Sequence, residues 1–76
     1  MSAVDPVAKD VTVEADRLGL SCIELAAMIG CSIPFTMGLL RGRAPKTMQM
    51  KRAIDAFLVR ARRAKSRAEM TLPTNA

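Results

Sequence analysis

Apolar residues recur along most of this chain at three- and four-residue intervals, and each such run is bounded by residues that start or stop helices. Asp5-Pro6 opens the first run, because the carboxylate can accept from free amides and proline sits where no hydrogen bond is lost. Ala8, Val11, Ala15 and Leu18 then share one face; Glu14 borders it and Val13 points away, so the start lies between Asp5 and Asp10. Gly19 supplies a left-handed stop. Ser21 with Glu24 three residues on is a capping-box pattern leading into Leu25, Ala26 and Ile29. Gly30 breaks that helix, Cys31 is an apolar turn residue, and Ser32 can cap a third helix that tolerates Pro34 in its first turn and runs to about Arg41. Gly42 and Pro45 bracket a loop, after which Thr47 can cap a longer helix with Met50, Ile54, Phe57, Leu58 and Ala61 in one stripe. Lys65 falls in line with that stripe, so the helix is predicted to outrun the globule there.

No strand-like alternation, repeat or low-complexity block interrupts this pattern. The expected fold is all-α, a compact bundle of four to five helices forming one domain over 5–67, with 1–4 and 70–76 as flexible tails. With 76 residues, half of them apolar and only two aromatic, the core must be built from Leu, Ile, Val, Met and Ala. A chain this short buries only about 60% of its unfolded surface, so its stability is small.

Charge adds a polarity to this picture. Twelve Lys and Arg against seven Asp and Glu give a net charge of +5, which favours an anionic partner. The first 40 residues hold Lys9 and Arg17 against Asp5, Asp10, Glu14, Asp16 and Glu24. Between 41 and 67 lie Arg41, Arg43, Lys46, Lys51, Arg52, Arg60, Arg62, Arg63, Lys65 and Arg67 against Asp55. Within this half Arg52, Arg60, Arg63 and Arg67 fall on the side of the fourth helix opposite its core stripe, as a nucleic-acid contact or as a solvated face. No apolar run reaches the ~18 residues that span a bilayer, and no signal core opens the chain, so a cytoplasmic protein without a membrane partner is expected. Cys22 and Cys31, roughly 12 Å apart at 1.5 Å per residue, exceed the ~7 Å reach of a disulfide and are expected to be reduced core residues.

Two short helices joined by a tight turn containing glycine make a helix-turn-helix, whose second helix enters the DNA major groove. Close crossing of the pair needs a small residue and a turn glycine, supplied by Ala26 and Gly30, with Leu25, Ile29, Cys31 and Leu39 to lock them. In LSCIELAAMIGCS at 20–32 and LLRGRAPKTMQMKRAIDAFL at 39–58 the chain resembles the Cro and lambda-repressor-like helix-turn-helix family, over most of its length. The matching features are the helix-opening Ser21, Ala26, Gly30 and the loop Arg41-Gly42-Arg43-Ala44-Pro45. The resemblance implies that Ser32, Ile33, Pro34, Met37, Gly38 and Arg41 face the groove and that Cys22 sits beside a phosphate. Two positions depart from the family: Cys22 stands where Gln is frequent, and Thr36 where a buried Val or Ile is usual, which suggests either a register slip or core packing by Phe35 instead.

The expected DNA-binding residues are therefore Ser32, Ile33, Pro34, Met37, Arg41, Arg43, Lys46 and Arg52. Arg41, Arg43 and Lys46 suit phosphates, while Ile33 and Met37 can touch only thymine methyls, since the third helix opens without Arg, Asn or Gln. The expected function is a small sequence-specific regulator of transcription, a repressor binding double-stranded DNA as a homodimer with helix 33–41 in the major groove. The alternative is a protein-interaction module docking a transcription-related partner through Ile33, Pro34 and Met37. A third, weaker option is an acidic membrane surface met by the basic fourth helix. With no His, no metal-ligand cluster, no phosphate loop and no nucleophile beside a base, neither catalysis, cofactor nor metal is expected.

Overall fold

The computed structural model describes residues 4–70. Helix α1 spans Pro6–Leu18, α2 Cys22–Ile29, α3 Ile33–Leu40 and α4 Met48–Arg63, followed by a single 3-10 turn at Arg67–Met70. No strand occurs among the described residues. Side-chain caps open all four helices. Asp5 Oδ2 accepts from the amides of Val7 and Ala8 at 3.0 and 3.2 Å, so α1 begins at Pro6 and not near Asp10. Ser21 and Glu24 complete a reciprocal capping box on α2, at 3.2 and 2.9 Å. Ser32 accepts from the Phe35 amide at α3, and Thr47 from the Met50 amide at α4. Each such cap is worth about 1 kcal/mol, a large share of the stability of so small a domain.

The core unites Ala8, Val11, Ala15 and Leu18 of α1 with Leu25, Ala26 and Ile29 of α2, Leu39 of α3 and Ile54, Phe57, Leu58 and Ala61 of α4. Both α1 and α2 pack on α3 and on α4. Among the described residues, no single helix is long and apolar enough to cross a membrane.

The structure corrects three details of packing. First, α4 does not outrun the globule: it ends at Arg63, Ala64 turns extended and is buried, and the chain folds back to bury Met70. A long-range contact holds that end: the Arg17 guanidinium donates to the carbonyls of Ala61 at 2.5 Å and Ala64 at 3.0 Å, the former also accepting from the Ala64 amide at 3.1 Å. A cation at the carbonyl end of a helix is favoured by the negative end of its dipole and by the carbonyls exposed there. Met70, expected in the tail 70–76, thus belongs to the core; positions 1–3 and 71–76 of the expected tails lie outside the described residues.

Second, Phe35 packs against the core but stays half-buried, and Thr36 beside it is fully buried. The Thr36 hydroxyl donates to the Ser32 carbonyl at 3.0 Å and lies 3.0 Å from Cys31 Sγ, so its polar atom is satisfied while its methyl fills the core. Third, Met50 is half-buried at the edge of the α4 stripe, and Cys22 and Cys31 are free and half-buried rather than fully enclosed.

Candidate functional site

The chain turns through 109° between α2 and α3. Three residues make that turn: Gly30 in the left-handed region at φ 84°, the half-buried Cys31, and the cap Ser32. The Gly30 and Cys31 amides both donate to the Ala26 carbonyl, at 2.8 and 3.0 Å, closing α2 as the chain reverses. Helix α3 is then held by an inner arc of Phe35, Thr36 and Leu39. At 100° per residue, its outer arc of Leu40, Ile33, Met37, Arg41 and Pro34 spans about 120°, and all five are exposed. Ile33, Met37 and Leu40 are 45%, 42% and 37% exposed, a continuous apolar ridge at helical spacing. Leu40 was not among the expected site residues, although its place one turn beyond Met37 was open to reading.

The end of α3 aims the basic loop. Gly42, at φ 95°, lets its own amide donate to the Leu39 carbonyl and the Arg43 amide to the Gly38 carbonyl, each at 2.9 Å. This paired closure returns the chain over its own helix. Arg43 is thereby laid across Gly38, where an added Cβ would stand 3.4 Å from Arg43 Cδ. Pro45 is buried and anchors the far side of the loop. The near side is strapped by the N-terminal segment, since the Asp5 amide donates to the Gly42 carbonyl at 3.1 Å and Val4 packs against Gly42.

Arg41, Arg43 and Lys46 consequently stand exposed around one loop. None forms an ion pair among the described residues, where the carboxylates of Asp10, Glu14 and Glu24 are taken by Arg62, Arg17 and Arg67. The loop borders two depressions. One is a cleft lined by Pro34, Phe35, Gly38, Leu39 and Met50 together with Arg43, Lys46 and Thr47. The other is a shallower groove between Val4, Asp5 and Pro6 and the segment from Arg41 to Lys46.

Seven of the eight expected site residues thus lie on the α3 outer arc and cap or in the loop that follows. The eighth, Arg52, is exposed on α4 and lines neither depression. The expected arginine stripe is broken, because Arg67 lies beyond α4 and pairs with Glu24, and Arg60 is half-buried. The sequence offered no sign of the Val4 and Asp5 strap, nor that Phe35, Gly38 and Met50 share a cleft. Both arise from segments distant along the chain. No group of three or more His, Cys, Asp and Glu side chains among the described residues could hold a metal ion.

Chemically, this surface can receive an anion on three exposed cations and an apolar group on the neighbouring ridge. Comparison with protein-family models, with curated proteins and with solved structures found no match to the chain.

Proposed function

We propose that the protein is a small helix-turn-helix regulator that binds double-stranded DNA, with α2 and α3 as the two helices and α3 in the major groove. The observation that carries this function is the fan of Arg41, Arg43 and Lys46, exposed and without ion pairs among the described residues, at the end of a helix whose outer arc is exposed. The three-residue turn and its 109° angle agree with the ~90–120° of helix-turn-helix units, and the resemblance to the Cro and lambda-repressor-like family points the same way. Ile33 and Met37 offer contacts for thymine methyls, Arg41, Arg43 and Lys46 grip phosphates, and Ser32 and Pro34 set the helix start against the groove. No bidentate donor precedes Arg41 on the outer arc, so base selection relies on DNA shape, on Arg41 and on a second subunit bound at a neighbouring half-site. Homodimerisation is drawn from the resemblance alone, since α4 does not project from the globule. Repression by covering a promoter needs only such binding.

The test is fluorescence anisotropy with mixed-sequence duplex DNA over a range of salt. Affinity should fall steeply as salt rises, with a slope near −0.9 per phosphate neutralised. Absence of binding at low salt would sink the proposal.

A second function, a docking module for a protein partner through Ile33, Pro34 and Met37, is favoured by one observation, the exposed ridge that Leu40 extends. Met37→Ala separates the two: it should change the preference among DNA sequences if α3 reads bases, and leave DNA affinity untouched if the ridge serves a protein.

A further inference from the structure

The cleft beneath Arg43 has a chemistry that phosphate binding does not use. Its volume is about 380 Å³, inside the ~300–1,000 Å³ range of small-molecule sites. It exists because Gly38 carries no side chain, Phe35 is only half sunk, and Met50 stops at the edge of the core. Pro34, Phe35, Leu39 and Met50 line it, so its lining is mainly apolar, and the exposed side chains of Arg43 and Lys46 belong to the same lining. Neither cation meets a carboxylate in an ion pair among the described residues. A DNA backbone would satisfy those cations but has nothing apolar to place below them.

We infer that the cleft binds a small anionic amphiphile, its apolar part against Phe35, Leu39 and Met50 and its carboxylate on Arg43 and Lys46, and that this ligand competes with DNA for the same two cations. The competition, though not the binding, rests on the DNA-binding function proposed above. Because coupling between two ligands is reciprocal, an occupant that engages Arg43 and Lys46 weakens DNA by the factor by which DNA weakens it.

Octanoate, hexanoate and 1-octanol titrated into the full chain, followed through backbone amide NMR, test the cleft directly. Octanoate should give saturable shifts at Phe35, Gly38, Leu39, Arg43 and Met50. It should bind about tenfold more tightly than hexanoate, from two further buried methylenes, and severalfold more tightly than octanol. Arg43→Ala combined with Lys46→Ala should erase the preference for octanoate over octanol, and Gly38→Leu should block both. No saturable shift at these residues at millimolar octanoate would overturn the site, and equal affinity for octanoate and octanol would overturn its anionic character. With duplex DNA bound to the wild-type chain, octanoate at ten times its Kd should weaken DNA about tenfold. If octanoate binds while DNA affinity stays unchanged, the competition is wrong. If DNA fails to bind at all, the competition falls together with the proposed function, and the octanoate titration still judges the cleft alone.

Discussion

Thr36 shows how much a single side chain can hold in a domain this small. Its hydroxyl and its methyl are both enclosed, the first bonded to the Ser32 carbonyl and the second in the core. That carbonyl also accepts from the Thr36 amide at 3.0 Å, so loss of the hydroxyl strands no backbone acceptor. Thr36→Val should therefore change stability by less than about 1 kcal/mol, whereas Thr36→Ser should cost about 1 kcal/mol through the methyl it removes. Urea unfolding of both variants checks the order; a larger loss for valine would mean that the hydroxyl matters more than the packing. The sequence pointed to the neighbouring Phe35 for this place because a phenyl ring is the stronger apolar signal. The helix start at Ser32 sets the rotation of α3, and that rotation puts Thr36 inward.

At the level of elements, two glycines with the same backbone need stand in different surroundings. Gly30 ends α2 at φ 84° with nothing within 4 Å of an added Cβ, so Gly30→Ala should cost only the backbone strain of about 1–2 kcal/mol. Gly42 ends α3 at φ 95°, and an added Cβ would meet Val4 at 3.1 Å. Gly42→Ala should thus cost more than Gly30→Ala, and the excess should shrink in the Val4→Ala background, a coupling that thermal unfolding of the four variants measures. Helix limits were legible in the sequence wherever a cap lay within three residues of the end it satisfies, as at Asp5, Ser21, Ser32 and Thr47. The end of α4 was not, because its carbonyls are met by Arg17, more than forty residues earlier.

Over the whole molecule, the return of the chain after Arg63 joins its last described turn to the core. Met70 is 1% exposed, so Met70→Ala should cost about 2–4 kcal/mol, seen as a lower denaturant midpoint for the entire protein rather than as fraying of one end. The same return pairs Arg67 with Glu24, whereas Arg43 forms no ion pair among the described residues. If DNA is the partner, Arg43→Ala should lower both affinity and the salt slope, the latter by about one, whereas Arg67→Ala should change either little. Anisotropy at two salt concentrations decides this, and an equal loss from both variants would mean that charge acts through its sum rather than its placement.

The all-α class, the four helices and the inward faces of α1 and α2 were determined by sequence alone, since helical periodicity and capping act over a few residues. Ser32, Ile33, Pro34, Met37, Arg41, Arg43 and Lys46 were likewise readable as one surface, being close along the chain. Only the tertiary structure decided that Thr36 is fully buried beside a half-buried Phe35, that α4 stops at Arg63, and that Arg67 is paired while Arg43 has no ion pair among the described residues. It also decided that a cleft opens between Phe35 and Met50 under the loop cations. Each of these depends on which distant segments come to rest together, and local chemistry carries no record of that choice.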